Sequence, residues 1–576
     1  VLNLGGALGK CVVAGDRSIT VGVDGYIANL AELTVELGCE TNVDLVRVLA
    51  TAYVRWKEGF FPKLVGSFAL FVYDEAGKAL YLARDTVGTV PLYWAQKGEG
   101  TLAFASLPIA VCRGINLPIA LSVRGVKREF LGLEAVAPES LFEGVRTVEP
   151  GCVLSIIDGK IANVRYRTLE QLTIRGVTDD ELVDVMREGI VEGVDWYVGR
   201  PDAKVGLAFS GGLDSSALLG AACLDPVQKA RVCAVTAVVS GRAEADLKYA
   251  ESVVKHCNVR WDCFRSTAQP VPDGVLKYTA NPIRVADLCV GAEIFSRVQT
   301  GGANTVITGA SGDIIGGGGW GWRLAMLRDG LFRTFVAELR EDGLKGPRLV
   351  RSIAGAVARL AWREAKGSRL VRDKDAKFES TLLDLVGATG DERHALAEEL
   401  WRKNYRLSVP PRDLVRWVAW IMGAFVVQEF EAFSLLGRVL GMEVGSPLCH
   451  PKVVSAGLSL PWSLRRRGGV SRVALREAAR PWLPREVLAR RPLVEFSDHV
   501  LPVWKQSIRD YRTKETLRHT ADFFDLGVWK ALSGAEERLP SHVVCNLYEV
   551  TVLERWLGLN ITGAVGIEYG ASHGIV

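Results

Sequence analysis

The chain has 576 residues, 48% of them hydrophobic and 24% charged, which excludes a disordered or low-complexity protein and leaves room for two or three domains around a large core. Seventy Lys and Arg stand against 66 Asp and Glu, and a net charge of +4 over this length supplies no basic field of the kind a nucleic-acid partner needs. The eleven cysteines contain no CxxC, and the closest pair is Cys257 and Cys263. They read as reduced thiols of a cytoplasmic protein, without a zinc knuckle or disulfide framework. The longest apolar run, residues 417–427, is too short to cross a bilayer, and no signal core follows a charged N-terminus, so no membrane span is expected.

Short runs rich in β-branched and aromatic residues at 12–13, 18–23, 66–73, 79–83, 102–105 and 153–157, separated by Gly, Asp and Pro, predict strands, with one helix over 42–57. From Asp179 the rhythm changes. Amphipathic helices alternate with wholly apolar strands at 205–209, 231–239 and 304–308, which predicts a parallel sheet covered on both faces. The boundary falls near 168–178, giving a front domain over 1–170 and a second domain over 171–576. Residues 323–377 carry 14 Lys or Arg against 7 Asp or Glu, so a basic helical insert is expected over about 320–410. It reads either as a solvated face or as a dock for an acidic substrate or partner. From about 396 to 548, Trp, Phe and Leu recur at three- and four-residue spacing, the pattern of a helical core.

The strand at 205–209 runs directly into Ser210, Gly211, Gly212, Leu213, Asp214, Ser215 and Ser216, and a helix follows. Two adjacent glycines let several backbone N–H groups converge on one anion, and the helix N-terminus adds the positive end of its dipole. An ordinary N-capped turn would use the same residue types, yet a carboxylate beside a bound phosphate requires a cation between them. Asp214 therefore points to Mg²⁺. The loop is neither GxxxxGK[ST] nor GxGxxG.

SGGLDSS resembles the signature of the N-type ATP pyrophosphatases, which cleave ATP to AMP and pyrophosphate while adenylating a substrate. Glu244, Asp246 and Tyr249 after the second strand, Asn281 and Pro282, the turn Gly309, Ala310, Ser311, Gly312, Asp313, and the segments 446–461 and 468–491 resemble the synthetase domain of the asparagine synthetases. The resemblance implies ATP and Mg²⁺, with Asp214 and Asp313 as metal ligands, and with Ser210, Gly211, Gly212, Asp214, Ser215, Ser216, Gly309 and Gly312 around the nucleotide. Segments 66–95, 104–111 and 141–151 resemble the class II glutamine amidotransferase fold. The implied architecture is α/β: an N-terminal Ntn-hydrolase-like αββα sandwich, then a parallel-sheet ATP pyrophosphatase domain with a helical C-terminal region.

Departures from that pattern refine the expectation. The glutaminase of the family uses an N-terminal cysteine. This sequence begins Val1, Leu2, Asn3, its nearest thiol is Cys11, and Asp24, Gly25, Tyr26 stand where the family has Asn-Gly-Glu, so glutamine hydrolysis is not expected. Ala310 replaces the family's ammonia-handling Glu, His450 the Asp that ends PFLD, and Arg472 the Lys that stabilises departing pyrophosphate. These losses resemble the branch that forms internal amides, the β-lactam synthetases and lasso peptide cyclases. By spacing, Glu431 matches the glutamate that serves there as base, although a solvent-facing helix residue would fit the same position. The expected function is an AMP-forming amide synthetase closing a macrolactam in a peptide, with a peptidase or leader-binding protein as partner. Its rivals are a β-lactam-type synthetase acting on a small carboxylate, an ammonia-dependent asparagine synthetase and an inactive nucleotide-binding homologue.

Overall fold

Strands of the first 165 residues pair antiparallel into two stacked sheets. One has the order β1 (Lys10–Ala14), β2 (Arg17–Ile27), β3 (Gly66–Asp74), β4 (Ala79–Arg84), β8 (Cys152–Ile157) and β9 (Lys160–Arg165); the other has β6 (Thr101–Ala105), β5 (Tyr93–Lys97) and β7 (Arg146–Thr147). The computed structural model describes residues 10–561 apart from 15–16, 41–42, 99, 134–137, 240–243, 284–287, 318–321, 367–375, 409–412, 491–496 and 514–516. Because side chains alternate across a strand, Val21, Val23, Leu70 and Val72 pack under the helices Leu30–Leu37 and Leu45–Trp56. Ala69, Leu82 and Leu154 meet Leu92 and Trp94 of the second sheet. Helices Pro108–Gly114 and Val123–Phe130 cover that sheet's outer face through Ile109, Val111, Val126 and Phe130. The layers are thus αββα.

The second sheet system is wholly parallel, in the order β12 (Arg260–Arg265), β11 (Val232–Val238), β10 (Val205–Ala208), β13 (Thr305–Thr308) and β14 (Glu443–Gly445). Ala234 and Ile307 face the helices Asp179–Val198, Leu213–Ala222 and Glu244–Cys257, whereas Val235 and Val306 face Leu288–Thr300 and Ser541–Ile561. Helix Asp179–Val198 opens this half with a capping box, in which Glu181 N–H donates to the Thr178 hydroxyl at 3.3 Å while Thr178 N–H donates to the Glu181 carboxylate at 2.7 Å.

Within the parallel sheet two strands lie outside the sequence expectation, as do β5, β7 and β9 in the front domain. β12 is an edge strand whose charged sequence RWDCFR hides its half-buried face, and β14 is three residues inside a region read as purely helical. The described part of the basic segment folds as helices Trp322–Arg328, Phe332–Glu341 and Gly346–Lys366 around a small core of Leu324, Met326, Phe335 and Trp462, and residues 367–375 lie outside the described residues. No helix among the described residues is long and apolar enough to cross a membrane; the apolar run at 417–427 lies instead in helix Leu414–Ile421 and a π-turn at Met422–Val426, which continues into helix Val427–Val439.

Candidate functional site

The phosphate loop leaves the carboxyl end of the central strand β10, where open parallel sheets bind ligands. Gly211 has φ +69°, and a Cβ there would lie 2.6 Å from the Ala250 backbone nitrogen, so only glycine permits the turn to lie against helix Glu244–Cys257. The Ser210 hydroxyl accepts from Gly212 N–H at 3.2 Å, and the Ser215 hydroxyl donates to Gly212 O at 3.4 Å. Ser216 is fully buried and its Oγ has no hydrogen-bond partner.

Asp214 stands in the first turn of helix Leu213–Ala222. Arg472 Nη1 donates to its Oδ2, while its Oδ1 is buried without a partner. Burial raises the Asp214 carboxyl to about 6, with Arg472 opposing and Asp313 adding to the rise. The third strand's turn closes on the same carboxylate: a Cβ on Gly309 would lie 2.8 Å from Ser215 N, and one on Gly312 would lie 2.6 Å from Asp214 Cγ. Asp313 opens helix Gly312–Gly317 and is exposed. The structure thus brings Asp214, Asp313, Gly309, Gly312 and the loop serines to one end of the sheet.

Three arginines surround the loop, of which the sequence singled out only Arg472. It holds a left-handed backbone at φ +58° as the N-cap of helix Val473–Ala479, a conformation costing about 1–2 kcal/mol for a non-glycine residue. Arg490 Nη1 donates to Gly211 O at 2.5 Å, and its guanidinium lies 4.8 Å from the Tyr249 ring centroid. Arg476 is buried and fixed by the carbonyls of Ser471, Leu488 and Arg490 at 2.5–2.9 Å; burial, followed by Arg472, pulls it down to about 10. All three lie in segment 468–491, whose run of arginines was the available signal.

A divalent ion fits this donor set as a phosphate-linked Mg²⁺. Two carboxylates and an orphaned buried oxygen suit an ion that completes its shell with substrate phosphates and water. Among the described residues no group of three or more His, Cys, Asp or Glu could hold a metal alone. Glu244 and Asp246 open helix Glu244–Cys257, but their side chains lie outside the described residues, as does that of Cys11 in β1.

Glu431 is placed otherwise than its proposed role as base requires. Its Oε1 pairs with Arg84 Nη2 at 3.1 Å and its Oε2 accepts from the Tyr93 hydroxyl at 2.9 Å, both in the front domain. The carboxylate that faces the Ser311–Asp313 turn is Glu429, with Oε2 3.5 Å from the Ser311 hydroxyl. The helix explains the difference: at about 100° per residue, positions two apart point to nearly opposite sides. Ser446 donates to Ala310 O at 3.2 Å, and the buried Cys449 thiol, pushed up by burial, lies among Ser446, Ser311 and Glu429.

His450 does not reproduce the acid it replaces. Its Nδ1 accepts from Lys452 N–H at 3.2 Å as the N-cap of helix Pro451–Ser459, its ring lies 4.3 Å from the Trp196 ring, and burial lowers its imidazole to about 3. A cavity of about 420 Å³ lies not at the loop but at the seam of the two halves, lined by Asp24, Tyr26, Arg200, Arg438 and Glu443 among others.

Comparison with known proteins agrees with both halves. Residues 5–167 match a glutamine amidotransferase domain, and residues 190–557 match the family described as asparagine synthase. Asparagine synthetase [glutamine-hydrolyzing] 1 of Bacillus subtilis is 31% identical over 215 residues, 36% of this chain and 33% of the relative. Asparagine synthetase [glutamine-hydrolyzing] 3 of the same organism is 28% identical over 36% of this chain and 34% of its own length. A putative asparagine synthetase of Mycobacterium tuberculosis is 27% identical over 36% and 33%. The aligned segment thus spans about a third of each curated relative.

Proposed function

This chain belongs to the asparagine synthase family, and from that premise we propose that it is an ATP-dependent, AMP-forming amide synthetase that adenylates a carboxylate and closes an internal amide, the macrolactam of a peptide substrate. The observation that carries the reading is Asp214: a half-buried carboxylate with one buried, unpaired oxygen, at the mouth of a glycine-rich anion loop and ringed by Arg472, Arg476 and Arg490. A carboxylate in such surroundings, with Asp313 adjacent, suits Mg²⁺ bound to pyrophosphate. When bound, the ion offsets charge on the leaving phosphates.

The loop N–H groups with Ser210, Ser215 and Ser216 orient the triphosphate, so that a substrate carboxylate oxygen attacks the α-phosphorus and pyrophosphate leaves. Arg472 supplies positive charge where that leaving group develops its own. The substrate amine then attacks the acyl carbon, AMP departs, and the proton lost by the amine passes to Glu429. The internal-amide branch is supported by Ala310, which offers no acid to handle free ammonia. A peptide is favoured over a small acid by the basic segment 323–377, where Val350 and Val357 are exposed one above the other on helix Gly346–Lys366, and a peptidase or leader-binding protein would then supply the processed peptide.

The test is exchange of labelled pyrophosphate into ATP with a panel of carboxylates: linear peptides, small β-amino acids, and aspartate with ammonium. Exchange stimulated by peptides supports the reading. Exchange stimulated by aspartate alone, with asparagine formed, replaces it by the ammonia-dependent one, and no exchange with any carboxylate removes the synthetase function.

A further inference from the structure

Helix Val427–Val439 carries one cluster of polar contacts between the two halves, and helix Gly390–Ser408 carries another through Glu392, Glu399 and Lys403. On Val427–Val439, Gln428 Nε2 donates to Glu129 Oε1 at 3.2 Å, Glu431 binds Arg84 and Tyr93, and Arg438 pairs with Asp24 at 2.7 Å. These positions fall within about a third of the helix circumference. Gly88 joins the same contact, since a Cβ there would come within 3.4 Å of Val427 Cγ2. The opposite side carries Glu429 toward Ser311 and the turn that leads to Asp313.

The front-domain partners are rigid before they meet the helix. Asp85 is buried and accepts from the backbone N–H of Phe68, Val87, Gly88, Thr89 and Val90 and from the Thr89 hydroxyl, which ties down the turn after β4. Arg84, 1% exposed, donates to Gly88 O at 2.7 Å and to Val148 O at 3.3 Å as well as to Glu431. Its guanidinium is therefore oriented by the front domain's own backbone, and Glu431 is located by it. The π-turn at Met422–Val426 lies immediately before this contact; such an insertion re-aims the helix that follows it.

We infer that Arg84 and Tyr93 are positioning residues of the synthetase site: through Glu431 they fix the rotation of helix Val427–Val439, and with it the place of Glu429 beside the Ser311–Asp313 turn. The front domain then acts on the second domain's chemistry by geometry, as a rigid outer shell holds a reacting group. The inference rests on the proposed function only in what the turn binds.

The test uses the full chain with Tyr93→Phe, Glu431→Gln, Glu431→Ala and the Tyr93→Phe/Glu431→Ala double variant. Two quantities are read: amide hydrogen exchange in peptides covering 427–439 and 305–317, with β12 as the internal control, and the dissociation constant for Mg·ATP. Glu431→Ala should speed exchange in both segments but not in β12, and weaken Mg·ATP about fivefold or more. Glu431→Gln keeps an oxygen for Arg84 and should recover most of both losses. Tyr93→Phe should be intermediate alone and add nothing to Glu431→Ala, because partners in one contact are not additive. Unchanged exchange at 305–317 in Glu431→Ala and Tyr93→Phe overturns the inference, as does a Gln variant no better than Ala. If the wild-type chain binds no Mg·ATP, the proposed function fails while the exchange data still decide the positioning role.

Discussion

Arg472 and Asp214 form an ion pair across the mouth of the phosphate loop, the guanidinium Nη1 on Oδ2 and the second carboxylate oxygen left buried and unpaired. The pair joins the left-handed N-cap of helix Val473–Ala479 to the first turn of the loop helix, two positions 258 residues apart in the chain. On the proposed function its partners are the cation at departing pyrophosphate and the carboxylate at Mg²⁺, and a bound ion would compete with Arg472 for Asp214.

Replacing Asp214 by Asn removes the charge that a cation needs and keeps the shape. Pyrophosphate release should fall at least about 10²-fold, the scale of losing a preorganised electrostatic group at a site of this kind. The fold should survive, because burial of the ionised carboxylate is itself costly. Pyrophosphate release with circular dichroism as control checks this. A variant keeping a tenth of wild-type rate removes Asp214 from the metal role.

Arg472→Lys and Arg472→Met separate charge from fork geometry. Lys keeps a cation of similar reach and should retain activity within about tenfold, whereas Met should lose about 10²-fold or more. Gly316 and Gly317 lie against the Arg472 stem at 3.4–3.5 Å for an added Cβ, so either substitute fits without displacing the backbone. Equal rates for Lys and Met would show that the positive charge at 472 plays no part.

His450 gives the pH dependence of stability. Its native imidazole titrates at about 3 against an ordinary 6.5, so between those values the unfolded chain binds a proton that the native one does not. The linkage makes stability fall as pH drops below about 6.5 and leaves it intact above, an effect reduced by the Glu192 carboxylate 3.4 Å from Nε2, which favours the protonated ring. His450→Asn keeps an N-cap acceptor for Lys452 N–H and removes the titration. Between pH 7.5 and pH 5 the urea midpoint of the wild type should therefore fall further than that of the variant. Parallel losses in both proteins would place the ordinary value back on His450.

The layers of the fold were legible because alternation and strand-turn-helix order are local properties: β10, the loop and the helix after it lie within 205–222. The same holds for the loop end of the candidate site, where Gly211, Asp214 and Asp313 lie on recognisable turns. Arg476 and Arg490 were hidden among like residues in segment 468–491, and only their carbonyl partners distinguish them from solvated charges. The edge strand β14 was hidden by its three-residue length. That Glu429 and not Glu431 faces the Ser311–Asp313 turn was hidden by helix rotation, since spacing places a residue on a helix but does not say which face meets the turn.

Glu429→Gln tests that rotation against activity. Adenylation needs the loop, Asp214 and Mg²⁺ and no base acting on the amine, so pyrophosphate exchange should stay within about threefold of wild type. Amide closure needs the ammonium deprotonated beside the acyl-adenylate, and should fall about 10²-fold or more, the lower range for removal of a general base. Glu431→Gln should spare both steps, because its partners Arg84 and Tyr93 lie in the front domain and an amide oxygen still accepts from Arg84. The measurement is parallel exchange and single-turnover product formation with whichever carboxylate supports exchange. A Glu431→Gln enzyme that exchanges normally yet fails to close the amide, beside a competent Glu429→Gln enzyme, would reverse the assignment and make the residue chosen by spacing the base.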